Sequence, residues 1–572
     1  MEHIRKYYLQ IFILLLVLLG IELRVAVSNV PLWYDEGHSV LVAIKSFPFG
    51  INEFLFTKDF QHTPFYFYFI HFWLKIFGTN EILLRMSSAI FGIATIPLTY
   101  IVGKKLYDTK VGIISALLVT VSPLLIYYSI EIRMYSAVIF FAVLSMNYLL
   151  DYDEKSDKKS LMKLLAVNTV IPYLLIGGIV FYIGQIISFL IYLLVTQKEN
   201  KNKLKEYLTY QLYQFILLIP YFVIAIYYTV QRSTFMMFHI PPFEFMHFLG
   251  NLQNYFATRV GMLFWVNYMP LYIDLIFFIA IIIPIIYFIN ALIKAFKEKN
   301  PKLYMVFLTV LISYFIILVS AMFQVVVIVP RYTIFIGPFL MILAAVGFSK
   351  LNKWHLACFL IFFSTLSIYF LFHDDAYFKT KYNALYDSIN YFQSRGLNGE
   401  DLVYRPFASS VAFIYEGKDT PKTPPFESLH EFRKPNNTLV YDDEQIQQFK
   451  QGKIDETWYN IIQSEGHVSK KYYEFIKKTY LEHLKPGRYV VMAIYGPDNQ
   501  ALIERKDYIQ RFNSPEAVHA DRILGSLAKI FDDTKNIFLE QCDLIEIVSV
   551  NDTTYFLFRK RPSKEDTKLL RH

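Results

Sequence analysis

Apolar runs about the length of a bilayer recur along the first two thirds of this chain. A helix needs about 20 mostly apolar residues to cross a membrane. Runs of that kind are read at 8–27, 86–103, 111–128, 134–150, 161–177, 179–196, 211–230, 271–293, 303–323, 332–349 and 354–372. A soluble domain of the same length would carry roughly 25% charged residues. Here the share is 18%, beside 55% hydrophobic residues and a mean hydropathy of +0.35. His3, Arg5 and Lys6 precede the first run, and Glu22 and Arg24 lie near its far end. No small-residue cleavage site follows, so the run reads as a retained span rather than a signal peptide.

The lysines test the spacing. If the N-terminus is cytoplasmic, every cytoplasmic loop should be rich in Lys or Arg. Those loops contain Lys104, Lys105 and Lys110, then Lys155, Lys158, Lys159 and Lys163. Lys198, Lys201, Lys203 and Lys205 follow, then Lys294, Lys297, Lys299 and Lys302, and finally Lys350 and Lys353. The net charge of +8 is therefore a topology signal, not a nucleic-acid footprint. About eleven spans put the C-terminal part outside. Two cysteines, Cys358 and Cys542, exclude a disulfide framework and a zinc spacing.

Two outer loops are long, 28–85 and 231–268, and both are aromatic. Within the first, His62 to Phe77 reads as an interfacial amphipathic helix. Residues 374–572 read as a soluble outer-face α/β or α+β domain. Helices are expected over Lys381–Gln393 and Lys470–Leu484. Strands are expected over Asp401–Tyr404, Gly487–Tyr495 and Ile545–Phe558, the last broken at Asn551-Asp552.

Seven ionisable residues fall on the outer side of this topology: Asp35, Glu36, His62, Arg85, Glu131, Arg133 and Arg331. Each has a plain reading. Asp35 and Glu36 can be a solvated, helix-capping pair. His62-Thr63-Pro64 can mark a helix start. The arginines can be snorkelling anchors. Taken together they suit a phosphate-linked amphipath whose chain lies in the bilayer. A carboxylate can act as general base or bind a divalent cation. A planar guanidinium pairs with phosphate in a bidentate fork.

The same residues carry a resemblance. Trp33-Tyr34-Asp35-Glu36, His62-Thr63-Pro64-Phe65-Tyr66 and Leu84-Arg85-Met86-Ser87-Ser88 resemble segments of the GT-C membrane glycosyltransferases. Ser122-Pro123, Tyr127-Tyr128-Ser129, Glu131-Ile132-Arg133-Met134-Tyr135 and Arg331-Tyr332 continue it. The protein O-mannosyltransferase-like branch is the most similar, and it is related to the lipid A aminoarabinose transferases. Thr63 stands where that branch usually has proline, and Ile132 where it often has alanine. Neither difference removes a charge.

The resemblance implies a catalytic outer loop, 28–85, in a transmembrane domain spanning 1–373. It implies inverting hexosyl or pentosyl transfer from a polyprenyl-phosphate sugar to a hydroxyl of a protein, glycolipid or polysaccharide, at the outer face of a prokaryotic plasma membrane. Asp35 would be the base, with Glu36 and Glu131 shaping the acceptor site. Arg85, Arg133 and Arg331 would hold the donor phosphate. His62, Tyr135 and Tyr332 would line the substrate, and Asp35, Glu36 and His62 are the set for a divalent metal. The alternative is a lipid or polysaccharide transporter or flippase. That function calls for mid-membrane charges and broken helices in paired halves.

Overall fold

The computed structural model describes residues 2–28, 64–196 except 79, 201–232, 300–323, 330–373, most of 391–404 and 481–495, 535–550 and 553–562. Isolated helical positions between 36 and 43 and between 286 and 298 are also described, as is Lys477. The chain is a polytopic helical membrane protein with a strand-containing C-terminal domain. Clustering of its contacts gives two units. One comprises 1–30, 42–230 and 237–379, and the other 31–41, 231–236 and 380–572.

In the first unit, α1 (Glu2–Ala26) is the leucine-rich first span. The aromatic α2 (Pro64–Phe77) opens on its proline, as the His62-Thr63-Pro64 sequence suggests. The next helix, α3 (Glu81–Leu106), is capped by the side chain of Asn80, which accepts from Leu83 N at 3.2 Å. It is followed by α4 (Thr109–Val121), α5 (Pro123–Ile130) and α6 (Tyr135–Lys155). Next come α7 (Lys158–Leu174), α8 (Gly178–Thr196) and α9 (Lys201–Arg232). α10 (Pro301–Met322), the short α11 (Pro330–Thr333), a 3-10 turn (Ile334–Ile336), α12 (Gly337–Phe348) and α13 (Lys353–His373) complete the order.

Every expected span except 271–293, most of which lies outside the described residues, falls on helical structure. Six described helices are long and apolar enough to cross a membrane, or seven with one bent pair. That count is of the described residues alone, and most of 271–293 lies outside them. α7 has only 17 residues, short for a crossing.

The expected straight span 111–128 is instead broken, α4 and α5 meeting at 57°. The cause is Ser122-Pro123. A residue before proline is pushed out of the helical region, and Ser122 is extended at φ −64°, ψ 113°. Pro123 then starts the new helix, where its missing N–H costs nothing. No second broken span of this kind occurs among the described residues, so the paired breaks of a transporter are not seen there.

α3 packs against α4 and α6, and α8 against α10. At the second crossing a side chain on Gly184 would sit 2.3 Å from Ser313 Oγ, so only glycine allows the approach. Close backbones and polar side chains, rather than hydrophobic burial, hold helices together in lipid. Ser145, Asn168 and Gln185 form such a set. Ser145 Oγ donates to Asn168 Oδ1 at 2.5 Å, and Asn168 Nδ2 to Gln185 Oε1 at 3.0 Å.

In the second unit the strands are β1 (Leu402–Tyr404), β2 (Tyr489–Tyr495), β3 (Cys542–Val550) and β4 (Thr553–Lys560). Their order is β1-β2-β4-β3, with β1 parallel to β2 and the other pairs antiparallel. All three expected strand regions are therefore present, the last as a hairpin around 551–552. Of the expected helices, most of 381–393 and all but a few residues of 470–484 lie outside the described residues. Tyr391, Phe392 and Leu397 pack on Val491, Tyr555 and Leu557. Burial lifts the Cys542 thiol to about 11, so this cysteine is a core residue and a poor nucleophile at neutral pH.

Candidate active site

The site grows out of the break after α4. Because Pro123 restarts the helix at a new angle, α5 is only eight residues long and ends at Ile130. The chain then makes a tight turn, Glu131–Met134, before α6 begins at Tyr135. Glu131 is extended, at φ −73°, ψ 129°, and Arg133 N donates to its carbonyl at 2.7 Å. The turn carries a carboxylate and a guanidinium two residues apart. Both are buried, with Glu131 2% and Arg133 4% exposed.

Arg85 holds this turn from α3. The sequence reading set Arg85 ahead of a span, at the surface. It lies instead inside α3, fully buried, and its Nη1 donates to the Ile130 carbonyl at 3.2 Å. One turn on, Ser88 Oγ donates to the Arg133 carbonyl at 3.2 Å. The hydroxyls of Ser88 and Tyr66 are 2.6 Å apart, which ties α2 to the same point. Ser136 Oγ donates to the Ser88 carbonyl at 2.8 Å. α3 thus reads the backbone of the turn at both ends, and so fixes where its two charged side chains start.

Aromatic residues flank the turn on both sides in the chain. Tyr127 and Tyr128 meet edge to face at 5.1 Å, and Tyr128 meets Tyr135 at 5.3 Å. All three are buried. Arg331 lies over the Tyr332 ring at 5.2 Å on α11. The 3-10 turn after it packs against α6 and α8.

The structure therefore brings Arg85, Glu131, Arg133 and Tyr135 to one turn, and sets Arg331 and Tyr332 on a segment leading to the same helix. Asp35 and His62 lie outside the described residues. Glu36 is fully buried and belongs to the second unit. Only one of the three residues expected to hold a metal is thus described. Among the described residues no group of three His, Cys, Asp or Glu side chains converges.

One residue escaped the sequence reading as a site residue. Arg24, near the end of α1, is fully buried, and its Nε donates to Ser129 Oγ at 2.7 Å. Its signal was its place: an arginine within an apolar span is expensive and points to function.

Comparisons with known proteins fit this geometry. Residues 61–228, less than a third of the chain, match the family described as dolichyl-phosphate-mannose-protein mannosyltransferase. The matched segment contains Arg85, Glu131, Arg133 and the whole α2–α8 frame around them. No curated protein matches the sequence. Among solved structures, the chain is similar to ArnT from Cupriavidus metallidurans bound to undecaprenyl phosphate, with 12% identity and a TM-score of 0.51 over 95% of this chain and 97% of that one. The same protein in the apo state gives 12% identity and a TM-score of 0.50, over 86% and 94%. At such identity the likeness is one of fold.

Proposed function

We propose that this chain, a mannosyltransferase-like protein with the GT-C glycosyltransferase fold, moves a sugar from a polyprenyl-phosphate carrier to an acceptor hydroxyl. The observation that carries the proposal is the turn Glu131–Met134. It offers a carboxylate and a guanidinium in a buried aromatic setting, with Arg85 bonded to the Ile130 carbonyl just before it. The match of 61–228 to a dolichyl-phosphate-mannose-protein mannosyltransferase family supports the donor class. So does the undecaprenyl phosphate bound by the similar ArnT.

In this reading the acceptor oxygen attacks the anomeric carbon from the face opposite the phosphate. The new C–O bond forms as the bond to the phosphate oxygen breaks, and the electron pair leaves with the phosphate. Configuration is inverted. Arg85, Arg133 and Arg331 stabilise the charge that develops on the departing phosphate, a task in which prearranged donors in a low dielectric count most. Asp35 takes the acceptor proton as general base. Glu36 and Glu131 shape the acceptor side, and His62, Tyr135 and Tyr332 line the substrate. The site opens at the outer face, the N-terminus is cytoplasmic, and residues 374–572 form a separate outer domain that meets the acceptor.

The test is transfer in membranes from a synthetic polyprenyl-phosphate sugar. Asp35→Asn should lower turnover by about a thousandfold or more while expression and folding persist. Undiminished turnover in that variant rejects the assigned base.

A further inference from the structure

The turn that carries Glu131 and Arg133 is held from α3 by Arg85 and Ser88. A second hold comes from α1. Arg24 has no exposure, and its Nε and Nη1 donate to Ser129 Oγ at 2.7 Å and to the Gly20 carbonyl at 2.9 Å. Ser129 in turn donates to the Ile126 carbonyl at 2.7 Å. It sits at the end of α5, two residues before Glu131.

The crossing is built for this contact. Leu23 of α1 and Val27 just after it pack with Ile126 and Ile130 of α5 and Leu371 of α13, which fixes the register of α1 on α5. On α3, a side chain on Gly92 would sit 2.4 Å from Ser129 Cβ and 3.2 Å from Arg24 Nε. Only glycine leaves room there for the pair to meet. Among the described residues Arg24 has no carboxylate partner, and its buried Nη2 donates to none of their atoms. A guanidinium buried without a counter-charge costs far more than a neutral side chain of that size. Mere packing of α1 on α5 does not call for it.

We infer that Arg24 is a positioning residue: through Ser129 it fixes, from the first span, the turn that presents Glu131 and Arg133. It touches no reacting atom. Its effect on carrier binding rests on the transfer reading above, whereas its effect on the order of the turn does not.

Two measurements on the full-length protein in nanodiscs separate these. The first is amide hydrogen exchange over 127–135. Arg24→Gln should raise exchange at 131–134 by about tenfold, because opening of the turn then costs less. Ser129→Ala, which removes one hydroxyl and no charge, should raise it by about threefold. The double variant should exchange no faster than Arg24→Gln alone, and Arg24→Lys, which keeps a donor near Ser129, should exchange more slowly than Arg24→Gln.

The second is affinity for undecaprenyl phosphate, which should fall by about tenfold in Arg24→Gln and partly recover in Arg24→Lys. Exchange unchanged in Arg24→Gln overturns the inference. So do additive effects of Arg24→Gln and Ser129→Ala, since Arg24 would then not act through Ser129. If the wild-type protein does not bind undecaprenyl phosphate while the exchange pattern holds, the transfer reading fails and the positioning role stands.

Discussion

The helix α6 has charge at both ends, and the two ends handle it differently. At its C-terminal end the carboxylates are paired with lysines. Asp151 meets Lys105 at 2.9 Å and Lys155 at 3.4 Å, while Asp153 meets Lys203 at 3.0 Å. Lys302 reaches Glu154 at 2.9 Å and Lys350 reaches Glu298 at 3.2 Å. Five of the lysines that marked the loops in the sequence, Lys105, Lys155, Lys203, Lys302 and Lys350, are held here in ion pairs. At the N-terminal end, Arg24 donates to Ser129 Oγ and to the Gly20 carbonyl, and Arg85 donates to the Ile130 carbonyl just before the turn. Ion pairs anchor one end of the helix, and guanidinium bonds to neutral groups help to place the turn at the other.

Three substitutions sharpen that contrast, from the largest effect to the smallest. Glu131→Gln, at the turn, should lower turnover by about a hundredfold or more with the thermal midpoint little changed. A matching loss of stability would make the turn another structural anchor. Asp153→Asn, at the opposite end, should do the reverse. Asp153 and Lys203 are only 5% and 4% exposed. Neutralising one member of a buried ion pair costs about 3 kcal/mol or more. Its midpoint should drop while affinity for undecaprenyl phosphate holds. Ser145→Ala, midway along α6, removes one hydroxyl from the Ser145–Asn168–Gln185 set. Polar contacts between helices in lipid average about 0.6 kcal/mol, so a loss of about that size in thermal or denaturant unfolding is expected, with no change in transfer.

The same contrast explains what was legible beforehand. Span positions follow from runs of apolar residues, and the lysine-rich connections between them from loop composition, because both are local properties of the chain. The strands of the C-terminal domain were legible from alternating apolar residues around 489–495 and 545–558. Glu131 and Arg133 stood out because two opposite charges sit together beside an apolar run. The break at Ser122-Pro123 was present in the sequence but was outweighed by the apolar run on either side of it. Arg85 was set too near the surface, since hydropathy does not show that α3 starts before the arginine and carries it inward. Arg24 was legible only as an arginine near the end of an apolar run. Its role depends on Ser129, 105 residues away, and on the space left by Gly92. Ser145, Asn168 and Gln185 gave no signal for a related reason, as single small polar residues within three separate helices.

The most direct test is photo-crosslinking with a polyprenyl phosphate that carries a reactive group beside its phosphate, followed by peptide mapping. Label should concentrate in Pro123–Tyr135 and compete with unlabelled carrier, and Arg133→Met should strongly reduce it. Label concentrated among Asp151, Asp153 and Lys203 at the other end of α6, indifferent to Arg133→Met, would contradict the assignment of the carrier phosphate to the turn.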